Sequence, residues 1–529
     1  MKRTRWLALI LALSLPFLTR CSQPEQAALT PFDALARWVP GDSEQVFFLD
    51  LEPDGEAGRH WERIRRQLEA NSSGQQGLDA MSHQFRVEEY GLDEFIVGPV
   101  VSGYWYSGEH VIVQVRHEDE KAVSDALRQH FEYVTWEQEE YEGRTLYYGR
   151  TRQASNRERL AWTIHDGLLF LSVRYNQEAL THLQELLSLA QADSLAALPA
   201  WRTLRDRLPE APMGLLFFNV AAQARRNPPA PDDTSLGTAM GQQIEAIALA
   251  AVPEKEGVRV EIVGTVALQS DAPPKFRALF NLPAVDPAAW AGLPSDTAIT
   301  LIAYDASVIW PWLEEMFNLG SLDQLGDTVG LDLEADLASA EGPLIGDFAL
   351  AITPPLPDQP ISQGLPAGQM LILARGASEA QMADVQAAME GRGAVFGPGE
   401  VEGVPLQVQA GTQPTGYAIA YGFDPDNDTL LFGSSPDAIG QGVAARREGN
   451  GLITTPTFQA ILAELPDDPS LVVYVNSEPY ANLAQANLTE EQYRQREEYV
   501  LLEAFEAIGL GMRLQPDRLD GVLYFFVAD

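Results

Sequence analysis

The sequence predicts an α+β protein made of two tandem, internally homologous units with mainly antiparallel sheets and flanking helices. Three observations predict it. Four segments share one layout, with Leu-Pro or Val-Pro, nearby acid, an apolar run and then Asp or Asn. They are VPGDSEQVFFLD to Asp50, LPEAPMGLLFFN to Asn219, LPSDTAITLIAYD to Asp305 and LPDDPSLVVYVN to Asn476. The proline lies ten residues before the final Asp or Asn in three of them and eleven in the other. Second, PAWRTLRDRLPEAP (199–212) aligns without a gap on PTFQAILAELPDDP (456–469). Third, Asp166-Gly167 between two apolar runs is a hairpin signal, and Asp-Gly favours the tight antiparallel turn.

Each repeated segment has a local physical reading. The proline fixes φ and ends whatever precedes it. The β-branched and aromatic run that follows is a buried strand. The closing Asp or Asn stands where a helix N-cap belongs, since a short side-chain oxygen can accept from the free amides of the first turn. A catalytic carboxylate at Asp50 or Asp305 is the rival reading. Asn219 and Asn476 fill the other two positions, and an amide cannot act as a base.

Further pairs extend the repeat. YEGRTLYYG parallels VEGVPLQVQ, DGLLFLS parallels DTLLFGS, and YGLDEF parallels VGLDLE. The expected organisation is a signal peptide with a lipobox-like end over 1–21, a linker over 22–36, copy 1 over 37–270, a Pro-containing connector over 271–290 and copy 2 over 291–529. Strands and hairpins alternate irregularly with a few helices, which argues against a doubly wound parallel sheet.

The N-terminus supplies an address. MKRTR carries three positive charges, and Trp6 to Leu18 is nearly all apolar. Thirteen such residues make a helix of roughly 20 Å, short of the ~30 Å hydrocarbon core. A basic start before a short apolar core reads as a secretory signal. A buried N-terminal helix is the alternative, but no polar face alternates with the apolar one. Leu18-Thr19-Arg20-Cys21 resembles the bacterial lipobox in Leu18 and Cys21, and departs from it at Arg20, where a small residue is expected. Lipid on Cys21 would supply two acyl chains, enough for stable anchoring. An uncleaved signal anchor and plain secretion are the other two readings.

Cys21 is the only cysteine, which excludes an intrachain disulfide and a cysteine-based zinc site. The formal charge is −39, with four lysines beside 32 arginines. Phosphate backbones would be repelled, so nucleic acid is excluded as a partner. The expected partners are the membrane, through the N-terminal lipid or signal anchor, and an envelope ligand or protein whose identity the sequence does not give. No cofactor is expected.

Motifs for chemistry are sparse. All seven histidines lie in copy 1, from His60 to His182, and read as solvent-exposed or turn residues. His110 and His117 are seven apart on an expected strand, so they face opposite sides. No His-Glu-x-x-His, Gly-x-Ser-x-Gly or Gly-x-x-x-x-Gly-Lys occurs. GQGVAA at Gly440 falls inside an expected helix rather than at a strand-to-helix turn. In DPDNDTLLFGSS, Asp424, Asp426 and Asp428 have the 1-3-5 spacing of a calcium loop. Thr429 and Ser435 stand where that loop needs Gly and Glu. A weak metal site at the three aspartates competes with a plain hairpin tip. Copy 1 also carries Tyr104, Trp105 and Tyr106 in GYWYSG, and Tyr133 and Trp136 in FEYVTWEQEEYEGRTLYY. Flat rings beside carboxylates can stack on sugars or grip an apolar ligand, or simply fill the larger core of one copy.

The repeated Leu-Pro-x-acid strand starts, the Gly-Leu-Asp pieces and the DTLLFGSS piece after an N-terminal membrane segment resemble an uncharacterised family of bacterial envelope proteins, a domain of unknown function. The resemblance implies no activity. The expected function is a non-enzymatic cell-envelope lipoprotein with tandem binding or scaffold domains. A carrier or receptor for a lipid-like or glycan ligand is the alternative, and a carboxylate-dependent hydrolase the second alternative.

Overall fold

A computed structural model describes residues 31–50, 55–69, 95–105, 108–116, 119–130, 134–151, 159–174, 179–226, 228, 241–268, 272–310, 332–337, 339, 342–344, 346–355, 368–409, 418–424, 426–487 and 505–527. The chain is α+β and divides into two compact units. One is Met1–Asp233 with Met240–Ala267, and the other is Thr234–Ala239 with Leu268–Asp529.

The first unit holds β1 (Gln45–Asp50), β2 (Ile96–Trp105), β3 (Gly108–Val115), β4 (Val134–Tyr141), β5 (Arg144–Thr151), β6 (Arg159–His165), β7 (Leu168–Arg174), β8 (Gly214–Phe218), β9 (Ile244–Glu254) and β10 (Gly257–Val266). Its helices are α1 (Pro31–Ala36), α2 (Gly55–Glu69), α3 (Glu120–His130), α4 (Ala179–Leu187), α5 (Pro199–Arg205) and α6 (Val220–Arg226). The strands pair in the order β4-β5-β6-β7-β3-β2-β1-β8-β9-β10, all antiparallel.

The second unit holds α7 (Pro274–Leu279), β11 (Ile299–Tyr304), β12 (Asp347–Thr353), β13 (Gln369–Arg375), α8 (Glu379–Gly391), β14 (Phe396–Val401), β15 (Val404–Gln409), β16 (Ala420–Asp424), β17 (Thr429–Gly433), α9 (Pro436–Glu448), α10 (Pro456–Glu464), β18 (Leu471–Asn476), α11 (Ser477–Asn487), β19 (Ala507–Gln515) and β20 (Arg518–Phe526). Its strands pair in the order β14-β15-β16-β17-β13-β12-β11-β18-β19-β20, again all antiparallel.

The four repeated segments become β1, β8, β11 and β18. In each unit two of them pair with each other: Phe48 stands opposite Leu215 and Ile302 opposite Val472. Successive side chains of a strand point to opposite faces, and both faces of the first sheet are covered. Val46 and Phe48 pack with Phe32, Leu183, Trp201 and Leu204 of the helices on one face. Phe47 and Leu49 pack on the other with Val111 and with Val123 and Leu127 of α3. That double cover is why the run VFFL is apolar throughout rather than alternating.

The expected cap geometry is present at two of the closing residues. The Asn219 side-chain oxygen accepts from the Ala222 amide at 3.0 Å as α6 begins. Asp305 Oδ1 accepts from the Ser307 amide at 3.1 Å and the Ser307 hydroxyl at 2.6 Å. Two-residue turns with positive φ close three hairpins, at Glu142-Gly143, Asp166-Gly167 and Glu402-Gly403. Both residues of such a turn lie in the left-handed region, which explains the glycine at the second place. One side of each sheet ends on a strand unsuited to further pairing. β4 exposes Glu137, Glu139 and Glu140, and β14 carries Pro398.

The stretch expected as a connector is built into the second unit. Pro274–Leu279 is helical, the Val285 amide donates to Pro469 O at 2.7 Å, and Val285 and Trp290 belong to the second core. Apolar residues in a Pro-rich stretch read as a linker only until a core claims them. Cys21 and the whole of 1–30 lie outside the described residues. Among the described residues no helix is long and apolar enough to cross a membrane.

Candidate functional site

Of the aromatic residues expected to form one site, those on β2 and the one on β4 stand on separated strands. Tyr104 sits near the end of β2 with its side chain half exposed, opposite Glu109 of β3. Trp105 ends the same strand, paired with Gly108. Trp136 sits on β4. The strand order puts five strand spacings between β2 and β4, about 24 Å at ~4.8 Å each. Tyr106 and Tyr133 lie outside the described residues. The reason for the separation is topological: β2 enters the centre of the sheet, while the β4–β5 hairpin is added at its side.

What surrounds Trp136 is a packed stack. Its ring meets Trp162 of β6 edge to face, with centroids 6.3 Å apart. Tyr147 of β5 lies flat on Trp162 at 4.2 Å and 19°. The Arg128 guanidinium of α3 caps Tyr147 at 4.7 Å, a cation–π contact. Trp162 is buried, and Trp136 and Tyr147 are partly buried against the same core. Sequence reasoning missed Trp162 and Arg128. The strand alternation of RLAWTIH was the available signal, since it puts Trp162 on the face opposite Ala161.

The three aspartates of the calcium-like spacing also have another employment. Asp424 is buried, and its Oδ2 pairs with the Arg446 guanidinium from α9. Asn427 Nδ2 donates to the same oxygen at 3.2 Å, and the Asp426 amide donates to Oδ1 at 3.1 Å. Asp426 and Asp428 are exposed at the hairpin tip. Among the described residues no three His, Cys, Asp or Glu side chains are grouped to hold a metal ion. Asp424 is thus paired with a cation from the following helix at the base of the β16–β17 hairpin.

The GQG of α9 is a packing feature. A Cβ on Gly442 would lie 2.9 Å from Gly292 O and 2.6 Å from a Leu371 methyl, so glycine lets the helix approach the sheet. Ser435 caps this helix by accepting from the Ala438 amide at 3.1 Å, with Pro436 in the first turn.

The expectation of exposed histidines is overturned at two positions. His110 on β3 is 0% exposed and His182 on α4 is 2% exposed. Their rings lie 5.8 Å apart, and Ser172 Oγ is 2.6 Å from His182 Nδ1. A histidine on a strand covered on both faces has no wet side to occupy. His117 lies outside the described residues, while His165 stays at its hairpin tip, 3.3 Å from Asp166.

In the second unit, Asp347 at the start of β12 has its carboxyl held above the usual range. Burial is the main cause; the Asp286 carboxylate adds to it, and the Arg375 guanidinium opposes it. Arg375 is itself fixed by donating to Ala289 O at 2.6 Å and by lying 4.8 Å over the Trp290 ring. An apolar cavity of about 10 Å³, room for one water, lies among Trp310, Leu337, Leu344, Phe348, Leu350, Met370 and Ile372. It belongs to the second unit, whereas Trp105 and Trp136 belong to the first, and it is far too small for an acyl chain.

The family model described as "Protein of unknown function (DUF3352)" matches residues 108–512. No curated protein matches the chain. Among solved structures, crystal form III of TP0453 is similar at 10% identity with a TM-score of 0.26, over 49% of this chain and 89% of that one. Crystal form IV of TP0453 is similar at 9% identity with a TM-score of 0.26, over 44% and 79%. Scores of this size do not establish a shared fold.

Proposed function

The chain belongs to the DUF3352 family of proteins of unknown function, and on that footing we propose that it is a non-enzymatic cell-envelope lipoprotein with two duplicated scaffold or binding units. The observation that carries the reading is the strand order. Among the described residues, ten strands in one unit and ten in the other follow the same path, with the repeated Pro-to-Asp/Asn segments paired at corresponding places. Duplication of a whole sheet supplies two similar platforms, which suits display and binding outside the cytoplasm. The polar groups that would attract a catalytic reading favour the same view. Asn219, Asp305 and Ser435 cap helices, and Asp424 holds Arg446. The packing of Trp136 against Trp162 favours a scaffold over a carrier that stacks a ligand on that ring.

The anchor is proposed from MKRTR, the short apolar run and Cys21. Cys21→Ser is expected to move the protein from the membrane to the soluble fraction, and to remove a diacylglyceryl mass from the N-terminal peptide. Unchanged fractionation, with no added mass on Cys21 in the parent, would sink the lipoprotein reading.

A further inference from the structure

We propose that His110 and His182 form a pH-sensitive latch that loosens the first unit when its surroundings acidify. Both rings are essentially fully buried on the face of the sheet that α4 covers. His110 stands opposite Ser172 in the β3–β7 ladder and opposite Gly103 in the β2–β3 ladder. A Cβ on Gly103 would lie 2.5 Å from His110 Nε2, so the glycine makes room for the ring. Ser172 Oγ and His182 Nδ1 share a 2.6 Å hydrogen bond, which the neutral ring accepts when its proton is on Nε2. The two rings meet edge to face at 5.8 Å. Two protonated rings at that separation, away from water, repel each other and lose hydration.

Other ionisable groups stand nearby among the described residues. Strand alternation puts Arg144 of β5, a cation, at a position on this face. His165 of β6 faces Asp166, and Tyr148 of β5 donates to Glu137 at 2.9 Å. Asp33 of α1 lies 3.8 Å from Arg205, and Glu44, beside β1, is bound by Arg226 at 2.7 Å. Glu185 of α4 is exposed, and Glu109 of β3 is on the opposite face, where Ser102 Oγ donates to it at 3.3 Å. Opening the unit brings both imidazoles into water, where each takes up a proton below about pH 6.5. Stability is therefore present above that pH and is lost as the pH falls through it. The second unit contains no histidine and lacks this response.

The test is hydrogen exchange on the full chain from pH 7.5 to 5.5, corrected for intrinsic rates. Protection in 108–115, 168–174 and 179–187 is expected to fall by about tenfold per proton per pH unit below about 6.5. Protection in 369–375 and 429–433 should stay level. The double variant His110→Gln/His182→Gln should flatten the response; an equal response in that variant, or none in the parent, overturns the proposal. If the variant does not fold, the parent's histidine Cε1 proton resonances decide. Two rings that stay neutral in the folded chain to pH 5.5 support the latch, and titration near pH 6.5 without opening overturns it.

Discussion

Phe48→Ala is expected to destabilise the first unit by about 3–5 kcal/mol, the range for removing a fully buried phenylalanine. Phe48 is 0% exposed at the centre of the sheet, with Phe32 at 5.4 Å and Trp201 at 5.2 Å between ring centroids. The cost has two parts, the transfer of the lost ring and the cavity left among rings held by α1 and α5. Phe48→Leu keeps most of the volume and should cost less than about 1.5 kcal/mol. Denaturant unfolding followed by exchange in 45–50 and 214–218 measures both. A loss under about 1 kcal/mol for the alanine variant would mean that β1 is not the central strand described.

Asp424→Asn is expected to cost about 3 kcal/mol, because it leaves the largely buried Arg446 without its counter-charge in a shape that is otherwise unchanged. Asp426→Asn and Asp428→Asn should each stay within about 0.5 kcal/mol, as exposed substitutions do. Calcium should not raise the melting temperature. The opposite pattern, a neutral Asp424→Asn and a calcium-dependent rise abolished by changes at Asp426 or Asp428, would restore a metal site there.

The parts of the fold legible in the sequence were those fixed by local chemistry. Proline at the start of an apolar run, Asn219 and Asp305 at its end, and Asp166-Gly167 in a turn each act within a few residues. The antiparallel α+β class followed from them. What was not legible depends on residues distant in the chain. Asp424 has a calcium-like neighbourhood in sequence, but its partner Arg446 comes from the next helix. Tyr104 and Trp136 are 32 residues apart in the chain, yet the insertion of β3, β7, β6 and β5 between their strands sets them on opposite parts of the sheet. His110 and His182 could be placed inside only by knowing that α4 covers that face.

Two sets of strands, one in each unit, share one pairing order, and cross-strand cysteines test it directly. In a Cys21→Ser background, one variant carries Gln45→Cys with Phe218→Cys, and another carries Ile299→Cys with Val475→Cys. Each pair is directly opposite in its ladder and partly exposed at a strand end, within reach of a disulfide. Mild oxidation followed by non-reducing electrophoresis should show both variants closing an internal loop of about 175 residues, with a faster-migrating band that reductant removes. Closure in one unit and not in the other would contradict the shared strand order.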